Sequence, residues 1–166
     1  MSLLHRLRQH HGIEHATVAL LNQRLPGVQI AARSGLDGFI IVGELSREAL
    51  AAAAEEALAR LQAGERHLAV HPNCGTNLAT AGVLSGIAAF AAGSGTRRSL
   101  WWERLPSAIL AAVLALMIAP AVGRWLQEHV TTSSRVTGLR IARIERVAGS
   151  PITAHRVVIA AAEAPQ

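Results

Sequence analysis

The sequence predicts an α+β protein: a small mixed helix/sheet domain with an inserted two-helix transmembrane hairpin. Three observations lead there. The first two dozen residues repeat apolar side chains at helical spacing. Short alternating stretches near both ends read as strands. Between them lie two uncharged runs, 76–92 and 105–123, parted by a basic stretch. The 166 residues suffice for one domain with a core. Hydrophobic residues make up 51% and charged residues only 16%, which is apolar for a water-soluble chain of this size.

The elements follow in order. A first helix is expected over 2–24, ending at Pro26-Gly27. Its stripe of Leu4, Leu7, His11, Glu14, Val18, Leu21 and Leu25 should face the core. Two short strands, 28–33 and 39–43, flank a hairpin loop over 34–38. Ser46 can cap a second helix over 47–62, with Glu48 near its positive end and Gly64 past its end. Leu50, Ala54, Ala57, Leu58 and Leu61 form its apolar side. Glu55 and Glu56 on that helix can ligate a metal, but more often such residues are solvated charges. A third strand is expected over 66–71, with Leu68 and Val70 on one face.

The two uncharged runs are close to the roughly 20 residues that a helix needs to cross hydrocarbon. Trp101, Trp102 and Trp125 fall at run ends, where interfacial aromatics belong. Gly82 and Gly86 form G-x-x-x-G, which allows close helix packing, either within the chain or in a homo-oligomer. Pro106 is expected in the first turn of the second run, and Pro120 is expected to kink or end it. The stretch between the runs holds Arg97, Arg98 and Arg104. The other side holds Arg60, Arg66, Arg124, Arg135 and Arg140. This excess leans towards both termini in the cytoplasm. Past residue 131 two more strands, 139–147 and 152–160, turn at Gly149-Ser150-Pro151. The domains are then 1–74, an N-terminal α/β part; 75–123, the transmembrane hairpin; and 124–166, a β-hairpin completing the first part.

The net charge is +5, and every basic residue is Arg. No basic block stands out and no RNA-binding aromatic motif occurs, so membrane lipid is the expected partner and nucleic acid is not. One cysteine, Cys74, excludes an internal disulfide and suits a reducing compartment. Residues 1–9 hold no uninterrupted apolar run, so a cleaved signal peptide is not expected.

Ionisable chemistry concentrates in His10-His11-Gly12-Ile13-Glu14-His15. On a helix, His11 and His15 share a face and can reach one metal ion, and Glu14 can take a proton from a water bound there. The bland alternative is a His–Glu pair that satisfies itself. His71-Pro72-Asn73-Cys74 adds a third imidazole and the thiol. Cys74 stands at an expected helix start, which favours thiolate. The third ligand is open between His71, Cys74 and a glutamate. Asn73 and Asn77 can hydrogen-bond a carbonyl oxygen or cap the helix.

H-x-x-E-H near the N-terminus and H-P-N-C-G-T-N before an apolar hairpin together resemble an uncharacterised family of small bacterial membrane proteins, a domain of unknown function. That resemblance implies membrane location and no particular activity. The first motif also resembles the inverted zinc peptidases of the pitrilysin group. That resemblance implies metal ligation by His11 and His15 and a general-base role for Glu14. The chain is far smaller than those enzymes and has no glutamate at their long downstream spacing. His71 is therefore preferred as third ligand.

The leading expectation is a membrane-anchored zinc-dependent hydrolase acting on a peptide or protein. His11, His15 and His71 hold zinc, Glu14 activates water, and Asn73 or Asn77 steadies the oxyanion. The alternative is a non-catalytic metal-binding membrane protein (a sensor, metal handler or structural module) with Cys74 closing the site. A scaffold with internally paired His and Glu, and a Cys74 nucleophile, are the remaining classes.

Overall fold

A computed structural model describes residues 2–94, 101–149 and 152–162, and of Trp101 the backbone alone. Arg97, Arg98, Ser150 and Pro151 lie outside the described residues. The chain divides into two compact units: Met1–His71 with Glu128–Gln166, and Pro72–Gln127.

The first unit is built around helix α1 (Leu3–Arg24). The Ser2 hydroxyl caps it by accepting from the His5 N–H. Strands β1 (Ala31–Gly35) and β2 (Gly38–Val42) follow, then helix α2 (Arg47–Gln62), capped by Ser46. Strands β3 (Leu139–Arg146) and β4 (Ala154–Ala161) come from the far end of the chain. The four strands form one antiparallel sheet in the order β1-β2-β4-β3. Its register pairs Ile40 with Arg156 across β2 and β4, and β3 carries an irregularity between Ile141 and Arg143. Phe39, Ile41, Val157 and Ile159 on the strands share a core with Ile13, Leu20 and Leu21 of α1 and Leu50, Ala54 and Leu58 of α2. Burial of this apolar set is the main stabilising term, at about 25 cal/mol per Å² of apolar surface removed from water.

Several expectations change. Residues 66–71 form no strand. Arg66–Ala69 is a single 3₁₀ turn, with the Leu68 N–H on the Glu65 carbonyl and the Val70 N–H on that of His67. The Glu65 carboxylate, just before the turn, accepts from the Arg60 guanidinium at 2.9 Å. Six alternating residues are too short a window to tell a strand from such a turn. The first hairpin is tighter than expected: the strands pair through Gly35 and Gly38, leaving a two-residue loop, and β1 starts at Ala31.

The apolar stripe of α1 is also redrawn. Leu4 is 73% exposed, whereas Gln9, His10, Glu14, His15 and Thr17 are buried. The middle of α1 is covered by neighbours on several sides, so burial there follows position along the helix as well as face.

The second unit consists of helices α3 (Gly75–Gly93) and α4 (Trp101–Leu126), which pack on each other. Both are long and apolar enough to cross a membrane, with mean hydropathies of 1.3 and 2.3. Pro106 lies inside α4 rather than in its first turn, because the helix begins at Trp101. The helix also runs through Pro120 to Leu126, so that proline does not end it. Near the open ends of the pair, a Cβ on Gly123 would stand 2.3 Å from the Asn77 Oδ1. Only glycine admits that approach. Among the described residues, no atom from outside their own stretch of helix lies within 4 Å of a Cβ built on Gly82 or Gly86, so the close α3–α4 approach is not made there.

Candidate metal centre

Helical geometry places His11 and His15 one turn apart on α1. Their rings meet edge to face with centroids 4.3 Å apart. His71, two residues past the 3₁₀ turn, brings its ring to 6.0 Å from that of His15. His15 is buried, while His11 and His71 are half-buried. Three imidazoles from two sequence regions thus gather within the first unit.

Each imidazole of the α1 pair is oriented by a backbone carbonyl. His11 Nδ1 stands 3.0 Å from the Thr131 oxygen, and His15 Nδ1 stands 2.8 Å from the Ala69 oxygen. A carbonyl oxygen only accepts, so each Nδ1 carries the proton. In the neutral ring the lone pair then sits on Nε2. That is the outer-shell arrangement found around metal-ligating histidines, where the second nitrogen donates to a carbonyl or carboxylate and fixes the ring.

The segment that supplies Thr131 is tied to α1 at four further points. Arg8 donates to the carbonyls of His129 at 2.9 Å and Thr132 at 3.2 Å. Gln9 donates to the Arg135 carbonyl at 2.6 Å, and the Ser133 N–H donates to the Arg8 carbonyl at 2.8 Å. Gly12 makes this possible, because a Cβ there would lie 2.4 Å from the Ser133 oxygen. A glycine inside a strongly helical pattern signals a close backbone approach. That signal was present in the sequence and was missed. The carbonyls of Ala69 and Thr131 left no signal, since every residue type carries one.

Glu14 is buried and accepts a hydrogen bond from the Ser34 hydroxyl of β1. Ser34 was likewise not anticipated. His10, one turn before Glu14, stands 2.8 Å from the Gly35 carbonyl. Its pKa is lowered, chiefly by burial, with the Arg6 charge adding to the effect against the opposing Gly35 hydrogen bond and the Asp37 charge.

In the second unit, Cys74 is the N-cap of α3, its sulfur accepting from the Thr76 N–H at 3.4 Å. Asn73 is exposed. The Asn77 amide is engaged at both ends: Nδ2 donates to the Pro72 carbonyl at 2.7 Å, and Oδ1 accepts from Gln127 at 2.8 Å.

Fold and site define a small α+β protein that gathers three imidazoles and carries two helices able to span a bilayer. The chain belongs to the family described as a domain of unknown function, DUF6391, whose model matches residues 6–144. An uncharacterized protein of the cyanobacterium Picosynechococcus sp. (strain ATCC 27264 / PCC 7002 / PR-6) is 34% identical over 137 residues, covering 76% of this chain. The chain spans 66% of that relative's length. No solved structure matches.

Proposed function

We propose that this protein is a membrane-anchored zinc hydrolase whose metal is held by His11, His15 and His71, with a peptide or protein as substrate. The observation that carries the reading is the pair of carbonyl hydrogen bonds to Nδ1 of His11 and His15, which present Nε2 for ligation. Zinc would supply a water acidic enough to attack near neutral pH. Glu14, whose carboxylate accepts from the Ser34 hydroxyl, would serve as the general base. Asn73 or Asn77 would steady the developing oxyanion; the Asn77 amide is held by Pro72 and Gln127. The helices α3 and α4 anchor the chain in the bacterial inner membrane with both termini cytoplasmic, in line with the arginine excess on that side. Gly82 and Gly86, off the α3–α4 contact, serve a second copy of the chain.

A second reading is a closed, non-catalytic site with Cys74, three residues along the chain from His71, as fourth ligand. The hydrogen bond that commits Glu14 to Ser34 favours it. Elemental analysis of the detergent-purified protein beside a His11→Ala, His15→Ala variant tests both. Near-stoichiometric zinc, lost in the variant, is expected; no metal in either, even after zinc reconstitution, refutes both. X-ray absorption then separates them, because a sulfur ligand at about 2.3 Å marks the closed site. Glu14→Gln should keep the metal and lose turnover of a fluorogenic peptide library, and retained turnover removes the proposed base.

A further inference from the structure

Beside the imidazole cluster the first unit has a cleft of 680 Å³ with a strongly basic lining. Three guanidinium groups, those of Arg8, Arg66 and Arg135, and three imidazoles line it, against the single carboxylate of Glu128. Arg8 is fixed in place by the carbonyls of His129 and Thr132, which hold its geometry without neutralising its charge. Arg66 and Arg135 have no carboxylate partner among the described residues. Other arginines of the same unit do: Arg24 pairs with Glu56, Arg60 with Glu65 and Arg143 with Glu145. Charge left uncompensated on the wall of a concave site attracts an anion and focuses its approach. The hydroxyl-bearing Ser133 and Ser134 also line the cleft and add short-range donors.

We propose that this cleft binds a phosphate group, gripped by Arg66 and Arg135 over the fixed charge of Arg8. Planar guanidinium forks match the oxygens of phosphate and make charge-assisted pairs with them. The location suits a lipid headgroup as the source. Glu128 and His129 in the lining stand two and three residues past the end of α4, and if that helix crosses a bilayer they lie close to headgroup level. Free phosphate has the same chemistry, so the test carries both.

The experiment titrates inorganic phosphate and, separately, dioctanoyl phosphatidylglycerol into the detergent-solubilised full chain in chloride buffer. Calorimetry reads the affinity of the wild type, of an Arg66→Gln, Arg135→Gln variant and of Arg47→Gln. Arg47 is exposed on α2 and outside the cleft, so its variant removes a charge of the same kind elsewhere. Weakening by about tenfold or more in the double variant, with Arg47→Gln unchanged, is expected. Lipid binding alone assigns a headgroup, and binding of both assigns the phosphate itself. Equal weakening by Arg47→Gln, or no binding of either probe, overturns the proposal. The His11→Ala, His15→Ala variant separates this cleft from the metal centre: it should still bind phosphate, and loss there would move the anion onto the metal and refute the cleft.

Discussion

The middle of α1 and the length of α4 have opposite relations between chemistry and burial. On α1, the polar and ionisable Gln9, His10, Glu14, His15 and Thr17 are inside. On α4, Leu110 is 60% exposed and Met117 is 73% exposed. Each helix departs from the ordinary pattern of apolar in and polar out. The departures have different remedies. Buried polar groups are tolerable when hydrogen-bonded, and the segments around α1 supply the partners: carbonyls of Gly35, Thr131 and Ala69 for His10, His11 and His15, and the Ser34 hydroxyl for Glu14, while Thr17 uses the helix's own Ile13 carbonyl. Exposed aliphatic surface is tolerable when the solvent is hydrocarbon, which is what the length and hydropathy of α3 and α4 allow.

The contrast is broken most strongly at α4. Met117→Arg should oppose membrane insertion by about 2.5–3.5 kcal/mol, read as a lower inserted fraction in a glycosylation-mapped insertion assay. Insertion unchanged by the arginine would remove the bilayer reading of α4. Next comes Gly12→Ala. Its methyl would meet the Ser133 oxygen at 2.4 Å, both atoms being on or next to backbone. A cost of about 1–3 kcal/mol is expected, seen as a lower melting temperature in detergent. A smaller effect follows from Gln127→Leu, which deprives the Asn77 Oδ1 of its donor. About 1 kcal/mol is expected from thermal melts, and no loss at all would make that bond incidental.

The smallest effect concerns pH. The folded-state pKa of His10 is depressed below its ordinary 6.5 by burial. The unfolded chain therefore binds more protons between the two values, so stability rises with pH there. The His10 contribution is complete above about 6.5 and is lost as pH falls through the folded pKa. His10→Gln should flatten the melting temperature against pH below about 6.5. An unchanged acid slope would assign it to another group.

How far the sequence spoke depended on where each signal was written. Helix α2 was legible from end to end because Ser46, Glu48 and Gly64 punctuate it. The spacing of His11 and His15 likewise translates directly into adjacent rings. The alternation over 66–71 does not reveal the turn at Arg66–Ala69, because a run that short fits a strand and a 3₁₀ turn equally. The inward turn of Gln9 and His10 was hidden because their partners are the Arg135 and Gly35 carbonyls, which no residue letter reveals. Ser34 escaped notice as one polar residue in a loop-like stretch, although it meets Glu14 across 20 positions.

The bond between His11 and Thr131 joins positions 120 residues apart, and both α3 and α4 lie between them in the chain. A ribosome makes His11 and His15 early and the carbonyl that orients His11 late. The imidazole pair therefore waits through the synthesis of the whole apolar hairpin before its geometry is set. A chain that stalls within that hairpin carries both histidines with His11 still unoriented, so completion of the site marks completion of the hairpin.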